Sequence, residues 1–188
     1  MAEQRNLLRF FYYDFPYLGL TIRIRHVTWH QIHPSMPTIE QLIHQPKFND
    51  EKHKAIISIL YAANLITNHH ESFLKHYGIT CQQYNALRIL RGQHPKPCTV
   101  GLIRERLIDR MSDASRIVER LRKASLVERV PSVNDRRAVD VAITPKGLEL
   151  LDNIDQRENE LSASTQKLTK AEAATLNLLM EKIFDKLA

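Results

Sequence analysis

A chain of 188 residues with 43% apolar content can bury one sizeable core, with or without an extension. Its formal net charge of +6 favours anionic partners without choosing between nucleic acid, a ribosome-like surface and a membrane surface. The two cysteines, Cys81 and Cys98, form no C-x-x-C pair. They therefore support neither a zinc nor a thioredoxin-like reading, and they read as reduced thiols. No apolar run approaches the ~20 residues of a membrane-spanning helix. Leu7 to Asp14 is broken by charge and is not followed by a small-residue cleavage site, so a cytoplasmic location is the default expectation.

Residues 1–35 are rich in aromatics, Arg and His, with no clean period except over Leu20 to Trp29. They read either as an arm or as a mis-called start upstream of Met36. Asn49 or Asp50 then caps a long helix that runs to about Tyr77 and stops at Gly78. Its apolar positions, including Ile56, Ile59, Leu60, Ile66, Phe73 and Leu74, follow helical spacing. That length exceeds what a small core needs and predicts packing against another subunit. Within it, His69-His70-Glu71 resembles a metal site only superficially. H-E-x-x-H spacing would require histidine at position 74, which is Leu74, so no metal is expected.

Thr80 caps the next helix, to about Gly92, and Thr99 starts a short one with Val100, Ile103 and Leu107 inward. Ser112 or Asp113 opens another, to about Ala124. Here Ala114, Ile117, Val118 and Leu121 lie at i, i+3, i+4 and i+7 and form one buried stripe. The opposite side carries Ser112, Arg116, Glu119, Arg120 and Lys123. A helix anchored on one face and basic on the other is what reading a DNA groove requires. In that role Ser112, Asp113, Ser115 and Arg116 would meet base edges. Arg116 suits guanine N7 and O6, and Asp113 suits cytosine N4. Val127–Val130 and Val139–Ile143 read as a hairpin with Asn134-Asp135-Arg136-Arg137 at its tip. Arginines there can reach a minor groove, and Asp135 can brace one.

Thr144-Pro145 opens a helix carrying Leu148, Leu151, Ile154 and Leu161, and Thr169 to Glu172 is a capping box. The last helix presents Leu176, Leu179, Met180, Ile183, Phe184 and Leu187 as a stripe, for which the long first helix is the natural partner. The fold class is therefore mainly α with a small β-hairpin wing: a winged helix-turn-helix plus a helical region. The expected organisation is an extension at 1–35, an N-terminal helix region at 36–78, a winged helix-turn-helix at 79–147 and C-terminal helices at 148–188. No Ser-His-Asp set or phosphate-cradling glycine loop is present, so neither an enzyme nor a cofactor is expected.

These residues resemble the MarR family of transcriptional regulators over about Asp50 to Ala188. The likeness rests on Ser112-Asp113-Ala114-Ser115-Arg116 through Leu121, on Leu126-Val127-Glu128-Arg129, on Asp135-Arg136-Arg137-Ala138 and on Ile143-Thr144-Pro145-Lys146-Gly147. Thr80 to Tyr84 before Leu87-Arg88-Ile89-Leu90 matches the family's second helix. The resemblance implies a homodimer, with 36–78 and 148–188 as its dimerisation region and 79–147 as its DNA-binding domain, presenting two winged helices to a pseudo-palindromic double-stranded operator with half-sites ~34 Å apart. It also implies repression relieved by a small, often phenolic, effector bound between the dimerisation region and the winged helix. The implied DNA contacts are Thr99, Ser112, Asp113, Ser115, Arg116, Arg120, Asp135, Arg136 and Arg137, with Arg137 in the minor groove. Ser125 departs from the family's usual glycine. The alternative is a winged helix that serves protein–protein assembly without DNA. If the resemblance holds, Arg137→Ala weakens binding across many duplexes and lowers the slope of log affinity against log salt by about one unit, as read by anisotropy.

Overall fold

The computed structural model describes residues 11–15, 20–24, 37–132 and 139–187. The chain divides into two compact units, 1–60 and 61–188. In the first unit, β1 (Phe11–Phe15) pairs antiparallel with β2 (Leu20–Ile24), Phe11 opposite Ile24 and Phe15 opposite Leu20. The sequence reading found no strand before Leu20. The aromatic residues of Phe11–Phe15 carry strand propensity without the polar alternation that reveals a half-buried strand. Helix α1 (Ile39–Leu42) is closed by a capping box: the Gln41 amide donates to Thr38 Oγ1 at 3.2 Å, and the Thr38 amide donates to Gln41 Oε1 at 2.9 Å. Lys54 Nζ lies 2.7 Å from Glu40 and holds that carboxyl below its usual range.

Helix α2 (Glu51–Lys75) begins where Asp50 Oδ1 accepts from the His53 amide at 2.7 Å. It ends in a Schellman closure. The Gly78 amide donates to the Lys75 carbonyl, the Ile79 amide to the Leu74 carbonyl, and Gly78 takes φ +70°.

In the second unit, α3 (Cys81–Gln93) starts at a Thr80–Gln83 capping box, α4 (Val100–Arg106) at Thr99 and α5 (Ala114–Lys123) at Asp113. Strands β3 (Val127–Pro131) and β4 (Val139–Ile143) pair antiparallel, Val127 opposite Ile143 and Pro131 opposite Val139. Cys98 adds a third rung on the far side of β4, exchanging both backbone hydrogen bonds with Val141 at 3.0 and 2.8 Å. Leu74, Leu87, Leu90, Ile103, Val118, Leu121, Val141, Leu151 and Ile154 are fully buried. Each such side chain contributes about 1.5–3 kcal/mol relative to exposure. The stripe expected on α5 is the one observed: Ala114, Ile117, Val118 and Leu121.

The helix opened by Thr144 is shorter than its apolar pattern predicts. Helix α6 (Pro145–Asp155) stops, and Leu161 belongs to a separate turn, α7 (Glu158–Leu161). Arg157 leaves the helical region at φ −113° and clamps Glu160 through two bonds, while its guanidinium lies 5.3 Å from the Phe73 ring centroid. His69 Nε2 and His70 Nε2 donate to the Glu160 and Leu161 carbonyls at 2.6 and 3.0 Å. The paired histidines thus fasten the C-terminal end of α7 to α2. A 3-10 turn (Ala163–Thr165) leads to α8 (Lys170–Leu187), which opens on the Thr169–Glu172 box. Its apolar stripe is not covered as the sequence suggested. Leu176, Leu179 and Phe184 stay about half exposed, as do Ile56, Leu60 and Leu65 of α2.

The end of α5 is the most tightly determined point near the wing. The Ser125 amide donates to the Arg122 carbonyl at 2.9 Å and the Leu126 amide to the Leu121 carbonyl at 3.0 Å, again a Schellman closure. Ser125 occupies the left-handed region at φ +61°, as the departure from glycine implied, at a cost of about 1 kcal/mol. The next segment of chain then clasps this end. Thr144 donates through its hydroxyl to the Ser125 carbonyl at 2.8 Å and through its amide to the Leu126 carbonyl at 3.1 Å. Lys146 Nζ donates to the Ala124 carbonyl at 2.9 Å. Gly147 packs so closely that an added Cβ would sit 2.3 Å from the Leu126 carbonyl oxygen. In urea unfolding, Gly147→Ala is expected to cost about 1–3 kcal/mol. Ser125→Gly is expected to gain up to about 1 kcal/mol.

Candidate nucleic-acid interface

Helix α5 owes its short, definite form to both ends. Asp113 Oδ1 accepts from the Arg116 amide at 3.1 Å, which closes the first turn. Its other oxygen, Oδ2, lies 3.3 Å from Arg116 Nε. The carboxylate proposed as a cytosine acceptor is therefore already serving as cap and as partner to Arg116. The Arg116 side chain is 82% exposed, so this ion pair holds it only lightly and a base edge can displace it. Ser115 and Arg120 are exposed on the same helix.

Glu119 is not an isolated acid on this face. It binds Arg122 through two bonds of 3.0 and 2.9 Å and lies 3.7 Å from Arg129 of β3. Arg122 lowers the Glu119 carboxyl below its usual range. The pairing neutralises the acid and links α5 to the first wing strand. Arg116, Arg120 and Lys123 supply the remaining positive charge of the helix.

The turn before α5 is braced by a residue the sequence reading passed over. Asp109 Oδ2 accepts from the Ser112 hydroxyl at 2.6 Å and Oδ1 from the Met111 amide at 3.0 Å. The Ser112 hydroxyl, first among these donors, holds the Asp109 carboxyl below its usual range. Asn85 Oδ1 accepts from the Ile108 amide at 2.9 Å and ties the same turn to α3. An aspartate followed by serine three residues later is a local turn signature, and that signal was present in the sequence. Ser112 is thus engaged in the turn, and Thr99 Oγ1 in capping α4 through the Leu102 amide at 3.1 Å. Asp135, Arg136 and Arg137 lie outside the described residues. Strands β3 and β4, which lead to and from them, are in place on either side.

Neither thiol is primed for reaction. Burial pushes Cys81 and Cys98 up from the ordinary thiol range, with Glu71 and Asp140 adding to the effect respectively.

A helix with a buried apolar stripe and a basic outer face is thus followed in the chain by an antiparallel wing. The family model described as "MarR family" matches residues 77–138. Over that segment the chain is similar to the MarR family. The HTH-type transcriptional repressor IacR of Pseudomonas putida is 27% identical over 148 residues, spanning 77% of this chain and 87% of that protein. A MarR transcription factor from Planctomyces limnophilus, known as a crystal structure, aligns at 29% identity with a TM-score of 0.55, over 72% of this chain and 98% of its own. The S. aureus MepR–DNA complex shares the fold at 16% identity and a TM-score of 0.62, over 70% of this chain and 95% of its own. The MarR family and these relatives are transcriptional regulators and not enzymes.

The cap and the ion pair of Asp113 can be separated. Asp113→Ser retains a good N-cap and leaves stability within about 0.5 kcal/mol, while releasing Arg116. Arg116→Ala is expected to cost about 1–3 kcal/mol on a preferred duplex and to relax specificity at one base pair. Equal losses on preferred and random duplexes, read by competition anisotropy, would reduce Arg116 to a backbone contact.

Proposed function

We propose that this chain is a sequence-specific, double-stranded-DNA-binding transcriptional regulator that acts as a homodimer and represses by occluding a promoter. The observation that carries the reading is α5: one face buried, the other presenting Arg116, Arg120 and Lys123, with both ends fixed by Asp113 and the Thr144–Lys146 clasp. A helix so held inserts its N-terminal residues into the major groove while the wing reaches the adjacent minor groove. Asp135, Arg136 and Arg137 complete the contact in this reading, with Arg137 in the minor groove. The repressor IacR and the MepR–DNA complex support the class.

The dimer accounts for the uncovered apolar stripes. Leu176, Leu179 and Phe184 on α8 and Ile56, Leu60 and Leu65 on α2 are half exposed in the single chain. Apolar area of this extent on long helices is covered in a stable protein, and a second copy offers the same surfaces. No helix among the described residues is long and apolar enough to cross a membrane.

Release by a small, phenolic effector fits an open groove of about 300 Å3 lined by Tyr77, Ile79, Gln83, Leu126, Lys146 and Leu150. An aromatic ring would lie on the apolar walls, with Lys146 available to an acidic group. Because Lys146 also holds the end of α5, an occupant there alters the aim of the recognition helix.

The test is anisotropy of the purified protein on the duplex upstream of its own gene, across a salt series, with a scrambled duplex as control and sedimentation to count subunits. Tight, selective, salt-sensitive binding by two copies is expected. Equal weak binding to both duplexes, with a dimer still present, would instead favour a winged helix that works through protein contacts.

A further inference from the structure

Ile108 and Met111 are the most exposed large apolar side chains among the described residues, at 89% and 93%. They are not on the long helices whose stripes a second copy would cover. Both lie on the turn between α4 and α5, two to five residues before the Asp113 cap. That turn is not slack: Asp109 takes bonds from the Met111 amide and the Ser112 hydroxyl, and Asn85 takes one from the Ile108 amide. The backbone is thus fixed in a form that projects two apolar groups into solvent, and an unbraced turn could have folded them back.

The surroundings specify what would cover them. Met111 lines an open groove of about 470 Å3 between α4 and the start of α5, together with Arg104, Arg110, Ser112 and Ser115. Gly101 and Ala114 give it a floor of small residues. An apolar tip flanked by two arginines and abutting the N-terminal end of a basic helix is poorly matched to an apolar protein surface, which would bury those charges. It is well matched to the major groove of DNA. There the arginines meet phosphates, and the apolar feature offered on a base edge is the thymine C5-methyl.

Resting on the DNA-binding reading above, we infer that Met111 is a specificity-determining residue that packs on a thymine C5-methyl at the edge of each half-site, with Ile108 on the same turn extending the contact. Methionine suits the role: its unbranched, polarizable chain conforms to a methyl group without demanding one rotamer. The contact is apolar and carries no charge, so it selects sequence and leaves the salt dependence untouched.

The experiment begins with selection of preferred duplexes from a random pool by the full wild-type chain. Each thymine of a selected duplex is then replaced in turn by deoxyuridine, which keeps the hydrogen-bonding edge and removes only the methyl. At one thymine per half-site, wild-type affinity is expected to fall about four-fold, the worth of one buried methyl group. Met111→Ala is expected to bind the thymine duplex correspondingly less tightly and to be indifferent to deoxyuridine at that position, with an unchanged salt slope. A Met111→Ala protein that discriminates thymine from deoxyuridine as the wild type does at every position would overturn the inference while leaving the regulator reading intact. If no duplex is enriched, the DNA-binding reading fails and this inference falls with it. Because Met111 is exposed, the substitution removes no packing, and circular dichroism confirms that the variants compared are folded.

Discussion

The winged helix depends on how the C-terminal end of α5 is held. A ten-residue helix is too short to persist alone, and its last carbonyls have no partners within it. Here the Ala124, Ser125 and Leu126 carbonyls all accept hydrogen bonds from one short segment, Thr144 to Lys146, which lies on the far side of the wing in sequence. The same segment starts α6. The helix that would read DNA, the strand that leaves it and the helix that follows the wing therefore meet at one point, with Gly147 allowing the backbones to touch. The ammonium of Lys146 also sits at the negative end of the α5 dipole.

From this point the arrangement propagates outward. Buried Leu121 and Val118 carry α5 into the core with Leu87, Leu90 and Ile103. Glu119 ties α5 to β3 through Arg129, and Cys98 ties β4 to the segment before α4. At the opposite end, Asp113 and the Asp109-braced turn fix where the first residues of α5 project. Position and aim of the outer face are thus set by backbone hydrogen bonds and caps, leaving Arg116, Arg120 and Lys123 free of structural duty beyond a weak pairing at Arg116. In the proposed mechanism an effector works by disturbing this clasp, since Lys146 lines the groove that would receive it.

Much of this was legible in the sequence because caps and periodicity are local signals. Thr80, Thr99, Asp113, Thr144 and Thr169 each sit where a helix begins, and the stripe from Ala114 to Leu121 is the buried face. Ser125 showed its left-handed conformation through the absence of the expected glycine. What the sequence concealed depends on distant partners. The break between α6 and α7 has no proline or glycine to mark it. It is produced by Arg157 against Phe73 and by His69 and His70 reaching carbonyls 91 residues away. The role of those histidines as donors to a helix end could not be read from their spacing. Asp109 escaped attention because a carboxylate in a turn resembles any surface acid until its two donors are seen. Strand β1 was missed because Phe11 to Phe15 lack alternation, whereas Leu20 to Ile24 of β2 alternate.

The central claim is that the clasp, more than the helix itself, sets how α5 meets DNA. Thr144→Val tests it most directly. The side chain keeps its shape but can neither donate to the Ser125 carbonyl nor accept from the Gly147 amide. Affinity of this variant for a preferred duplex and for a random one should be measured well below its unfolding midpoint. A selective loss is expected, with preferred-duplex affinity falling about ten-fold, equivalent to roughly 1.4 kcal/mol, and random-duplex affinity nearly unchanged. A folded Thr144→Val protein that binds the preferred duplex as tightly as the wild type would contradict it.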